Sequence, residues 1–168
     1  MRILPRSAWG AEPPRGPLRR HRIERVIVHE SGHVVRDERD TLANLPAYQA
    51  DHLARGWSDL AYHFVIDARG NVYRGRRPST VGDTATDYDP RGSLLVMCDG
   101  AFRWQRPGAE QVRALIHLLA WAQDTYGVAP QDIATHRDVA PIACPGARLH
   151  GLFADGSIGR RVVRTRLV

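Results

Sequence analysis

Residues 24–35 read ERVIVHESGHVV, and two local structures compete for them. His29, Glu30 and His33 spell H-E-x-x-H. On a helix that motif sets two imidazoles at i and i+4 around a metal, with the Glu beside them as a base, as in zinc proteases. The residue types oppose that helix. Ile23, Val26, Ile27 and Val28 are β-branched and nearly continuous, as in a strand buried on both faces. Gly32 falls mid-motif, where a helix interior loses about 1 kcal/mol relative to Ala. Three and six positions beyond His33 stand Arg36 and Arg39, not the Gly and His that extend the protease motif. The stretch therefore predicts a strand ending at His29, with that imidazole available at the strand end and His33 outside any site it joins.

Outward from this strand the elements alternate. Further strands are expected at Tyr62–Asp67 and Asn71–Arg74, around the turn ARGN, at Ser93–Cys98 and at Ile133–Thr135. One helix is expected over Leu45–Arg55, ended by Gly56. A longer one follows in GAEQVRALIHLLAWAQDTYG, where Val112, Leu115, Ile116, Leu119 and Ala122 recur at helical spacing and Gly127 closes the run. His117 reads as a residue of that helix's face. A shorter helix starts near Ala147, and the tail GRRVVRTRLV fits neither period. There is no internal repeat, linker or composition break. The pattern predicts a single α/β domain spanning residues 1–168, a mixed central β-sheet with helices packed on it.

Composition excludes several classes. A chain of 168 residues, 43% hydrophobic, has enough apolar material for one core. No stretch approaches the roughly 18 apolar residues of a membrane span. The start MRILPRSAWG lacks the apolar region of a signal peptide, so neither span nor signal is expected. The net charge is +6, and every basic residue is Arg. These arginines are scattered through RGPLRRHR, RGRR and GRRVVRTR without interleaved aromatics or a reader motif, so nucleic acid is not expected as a partner. A polyanionic surface such as a cell wall would feel the same field, and a solvated basic face accounts for most of it.

Two cysteines make no disulfide framework. Cys98 ends the apolar run SLLVMC and reads as a buried thiol. Cys144 lies in HRDVAPIACPG, a Pro-punctuated loop, with seven residues between it and His136. His29, His136 and Cys144 would bring two imidazoles and one thiolate from distant parts of the chain, the ligand count of a catalytic zinc that keeps a position for water. Spacing alone gives this set no standard meaning.

The segment GWSDLAYHFVIDARGNVYRGR, Gly56 to Arg76, resembles the corresponding stretch of type 2 N-acetylmuramoyl-L-alanine amidases, a family that includes phage endolysins and peptidoglycan recognition proteins. RSAWGA, VIVHES, the helix closing on Gly56 and HRDVAPIACPG follow in the family's order, from Arg6 to about Gly146. The resemblance implies a zinc cleft on one face of the sheet, Zn2+ ligands at His29, His136 and Cys144, and a catalytic Tyr at Tyr62. It implies peptidoglycan or muropeptide as substrate, the bacterial cell wall as the place of action, and hydrolysis of the amide between N-acetylmuramic acid and L-alanine. Zinc would polarise that amide and activate a water, and Tyr62 would orient the water or donate to the oxyanion.

Three departures qualify this. Active relatives carry Lys or Thr two residues before the Cys, where this chain has Ile142. They usually carry His where Thr84 stands. Glu30 occupies a position where relatives show His or Cys, and is open to three readings: a catalytic base, an orienter of the ligands, or a solvated carboxylate. The absence of the disulfide usual in animal members favours a bacterial or phage source. Arg76 or Arg77 is a candidate partner for a diaminopimelate carboxylate, against the alternative of a solvated loop Arg. A muropeptide-binding module of the same fold, with little hydrolysis, stays open beside the enzyme.

Overall fold

The computed structural model describes residues 2–166. Its six strands are β1 (Ile3–Leu4), β2 (Arg25–Glu30), β3 (Phe64–Ile66), β4 (Val72–Arg74), β5 (Ser93–Cys98) and β6 (Ile133–Thr135). They form one sheet in the order β1-β4-β3-β5-β2-β6. Only β3 and β4 run antiparallel among these neighbours, so the sheet is mixed as expected. The two strands around ARGN are shorter than expected because Asp67 leaves the ladder. Its carboxylate accepts from the N–H groups of Arg69 and Asn71 and closes the turn.

The helices are α1 (Glu38–Ala54), α2 (Ala109–Tyr126), α3 (His136–Val139), α4 (Ala147–Ala154) and α5 (Ser157–Arg166). The start of α1 corrects the expected Leu45. Asp37 caps the helix by accepting from the N–H groups of Arg39 and Asp40, and Thr41, Leu45 and Gln49 bury one face at i, i+4 and i+8. That burial carries the helix through Pro46, which supplies no N–H to the ladder. α2 matches its period and ends on Gly127, whose φ of 73° is left-handed. The ambiguous tail is helical through Arg166, with Ile158 and Val162 buried one turn apart; its last two residues lie outside the described ones. Among the described residues no helix is long and apolar enough to cross a membrane.

Side chains alternate across a strand, and this alternation positions the site. Val26 and Val28 of β2, with Leu94, Val96 and Cys98 of β5, face the large core that also contains residues of α2, α4 and α5. Met97 of β5 and Val65 of β3 face the opposite way, into a smaller core with Trp9, Leu45 and Leu60. His29 is paired with Met97 across the ladder, so it emerges at the end of β2 on the α1 side.

Candidate functional site

A cleft of about 300 Å³ opens on that side. Its floor holds His29, Met97 and Cys144, one wall is α1 with Tyr48 and His52, and the other includes Thr84, Thr86 and Ile142. His29, His136 and Cys144 converge there, their potential ligand atoms all within 4.8 Å of one another. Each arrives by a different device. His29 ends β2, His136 opens α3 directly after β6, and Cys144 sits in the loop before α4. A capping box between Thr135 and Asp138 fixes the turn that presents His136. A second cavity of about 320 Å³, walled by Ile133, Phe153, Ile158 and Val162, contains none of the three.

The donor set fits a zinc ion. Cys144 Sγ lies 3.9 Å from His29 Nδ1, close enough for one ion to sit about 2.0–2.3 Å from each. Both imidazoles have their other nitrogen occupied. His136 Nε2 is 2.8 Å from Thr86 Oγ1, and His29 Nε2 is 3.5 Å from the Tyr88 hydroxyl. Such outer contacts fix tautomer and ring orientation at metal sites. Burial, then the neighbouring His136 and His63, hold His29 well below the ordinary histidine range, and burial lowers His136 too. Both rings are therefore neutral and able to ligate. Burial pushes the Cys144 thiol up to about 12, which a bound cation would reverse. The Glu30 N–H already donates to its sulfur at 3.2 Å.

The other expected residues fall as follows. Tyr62 is half-buried on the cleft, its ring centroid 5.3 Å from that of His29. Burial raises its pKa, so the hydroxyl keeps its proton at neutral pH. Its backbone is clamped by two glycines. A Cβ on Gly75 would collide with the Tyr62 carbonyl, and one on Gly82 would lie 2.6 Å from the Ala61 oxygen. Glu30 Oε2 accepts the Phe102 N–H at 2.6 Å, tying the end of β2 to the loop after β5. His33 is exposed, its ring tilted beside that of Tyr48 with centroids 5.3 Å apart, and it is not among the three converging side chains. Ile142 is 38% exposed on the cleft wall.

Arg76 overturns one expectation. It is only 2% exposed and spends its guanidinium on the carbonyls of Asp59, Leu60 and Val81 and on the Asp83 carboxylate. Four of its five N–H donors are spent inside the fold, and it does not line the cleft. Arg77 is exposed but does not line the cleft. Sequence reasoning missed Thr86, Tyr88 and His52. The Ala61 N–H donates to His52 Nδ1 at 3.0 Å, and burial lowers that imidazole to about 4, so it stands neutral on the α1 wall. Its only signal was a titratable residue one turn before Gly56.

Comparison with known proteins gives a consistent result. The family model described as N-acetylmuramoyl-L-alanine amidase matches residues 19–147. Peptidoglycan-recognition protein SD of Drosophila simulans is 32% identical over 162 residues, 90% of this chain and 83% of that protein. The crystal structure of the Drosophila SD protein superposes with a TM-score of 0.83 at 26% identity, over 91% of this chain and 93% of that one. Peptidoglycan recognition protein LE, solved in complex with tracheal cytotoxin, a monomeric diaminopimelic acid-type peptidoglycan, gives 0.82 at 26% identity over 91% and 92%. An N-acetylmuramoyl-L-alanine amidase of Sus scrofa is 30% identical over 90% of this chain, which spans 26% of that protein. These are animal proteins and lend no support to a bacterial or phage source.

Proposed function

The chain belongs to the N-acetylmuramoyl-L-alanine amidase family, and from that premise we propose that it hydrolyses the amide between N-acetylmuramic acid and the L-alanine of the stem peptide in bacterial peptidoglycan, using one Zn2+ held by His29, His136 and Cys144. The observation that carries this reading is the convergence of those three ligand atoms within 4.8 Å on a cleft floor. Zn2+, when bound, supplies a Lewis acid and a water acidic enough to attack at neutral pH.

The chain's own residues do the rest. Thr86 and Tyr88 hold the two imidazoles from behind, and the Glu30 N–H stabilises negative charge on the Cys144 sulfur. The Tyr62 hydroxyl, kept protonated by burial, donates toward the amide oxygen as charge grows there. Glu30 acts as an orienter through Oε2, which accepts the Phe102 N–H, while Oε1 leaves the role of base to be tested. Place of action follows the substrate, at the bacterial cell wall.

A second reading rests on Ile142. An apolar side chain on the cleft wall contributes no donor to an oxyanion, which favours a module of the same family that holds muropeptide and cleaves little. One experiment decides. Metal content is measured on the purified protein, and release of stem peptide with a new L-alanine amino terminus is followed on peptidoglycan, with chelator and after zinc is restored. Chelator-sensitive release supports the amidase. Full zinc occupancy with no release from any peptidoglycan supports the binding module.

A further inference from the structure

Two loops beside the cleft display apolar side chains that the fold does not use. Trp104 is 67% exposed and Val34 59%, the two most exposed large hydrophobic residues among the described ones. Hydrogen bonds tie the two loops that carry them to each other. The Gln105 side chain bridges the loops, accepting the Val35 N–H at 3.0 Å and donating to the Val35 carbonyl at 2.9 Å. Gly32 N–H donates to the Gly100 carbonyl, and Arg148 donates to the Trp104 carbonyl at 2.8 Å. Exposed apolar groups fixed in this way are preorganised for contact, since little ordering remains to be done on binding.

The patch continues the cleft. Ser31 and His33, just before Val34, line it. The same loops carry the exposed arginines Arg36, Arg103 and Arg106; Arg103 lies over one face of the Trp104 ring at 5.0 Å, and the exposed Arg148 reaches the Trp104 carbonyl. We propose that these paired loops form a saccharide subsite outside the cleft, where Trp104 and Val34 pack on the sugar rings of a glycan strand and the arginines hydrogen-bond its polar groups and pendant carboxylates. This rests on the peptidoglycan reading above and adds to it that the chain grips a polymer beyond the single muropeptide in the cleft. An indole face and the C–H face of a pyranose are complementary flat apolar surfaces, and Trp and Arg are the side chains that most often anchor a contact. A bilayer is the weaker fit, because two apolar side chains bury too little to hold a protein on a membrane.

The test uses the full chain with chelator, so that nothing is cleaved. Binding to insoluble peptidoglycan sacculi is measured by sedimentation, and binding to a single disaccharide-peptide by calorimetry, for wild type, Trp104→Ala and Val34→Ser. Trp104→Ala is expected to weaken retention on sacculi about tenfold while leaving affinity for the single muropeptide and the thermal midpoint unchanged. Unchanged retention on sacculi, or an equal loss for both ligands, overturns the subsite. Trp104-dependent sedimentation with phosphatidylglycerol vesicles but not with sacculi replaces it with a membrane contact. In a parallel assay of the zinc-loaded protein without chelator, cleavage of soluble muropeptide by a protein that ignores sacculi defeats this inference and leaves the amidase reading intact. Trp104-dependent retention by a zinc-loaded but inert protein does the reverse.

Discussion

Thr86 sits directly behind His136, its Oγ1 2.8 Å from the imidazole Nε2 and a further 2.8 Å from Thr84 Oγ1. Were His136 to hold a metal through Nδ1, Nε2 would carry the proton and Thr86 Oγ1 would be its acceptor. Thr86→Val removes that acceptor while keeping the shape. It is expected to weaken zinc affinity about 10–100-fold, read by competition with a chromophoric chelator. Thr86→Ser should restore most of it, which loss of packing alone would not allow.

Ile142 and Tyr62 face the same cleft with opposite chemistry. Ile142→Thr or Ile142→Lys is expected to raise kcat on muropeptides by up to about 10²-fold with metal affinity unchanged, and Tyr62→Phe to lower kcat at full metal content. Steady-state kinetics with metal analysis checks both. An unchanged Ile142→Thr enzyme that is already fast would assign transition-state stabilisation to other groups.

Glu30→Gln separates a base from an orienter. Glutamine still accepts the Phe102 N–H through its amide oxygen, so an orienting Glu30 leaves kcat within a few-fold. Loss of a general base costs about 10²–10⁴ instead. The pH profile of kcat/KM reads the difference.

Arg76→Met leaves three backbone carbonyls and the Asp83 carboxylate without their buried cation. A loss of about 3–5 kcal/mol is expected, measured by urea unfolding.

Acid should destabilise the fold through two histidines. Burial lowers His63 to about 3 and His52 to about 4, from an ordinary 6.5. Between these values and 6.5 the unfolded chain binds protons that the folded chain refuses, so stability falls as pH falls through that window. Each group contributes a slope of at most about 1.4 kcal/mol per pH unit. Urea midpoints between neutral and mildly acidic pH, with and without chelator, test this; His52→Gln should remove only its own share.

Much of this was legible because burial leaves marks in sequence. β2 and β5 pair residue for residue at the sheet centre and read as apolar runs, and α2 kept its period because a wide face is buried. β1 is too short to show a period, the first turns of α1 are mostly polar, and the two buried residues of α5 are diluted among arginines. The approach of His29, His136 and Cys144 to one another was legible only through the family resemblance, since their spacing by itself has no standard meaning. Thr86 and Tyr88 were not, since their partners lie 50 and 59 residues away and a hydroxyl in a loop announces nothing.

Gly75 and Gly82 crowd the backbone on either side of Tyr62 without touching the cleft's chemistry. A saturation library is expected to tolerate few replacements at either, because a side chain at Gly75 meets the Tyr62 carbonyl and one at Gly82 meets Leu95 and the Ala61 carbonyl. Neighbouring surface positions would accept most replacements. Two residues that have nothing to react with therefore decide how the cleft is built, and a variant lost at either would be told from one at His29, His136 or Cys144 by a measurement of bound metal.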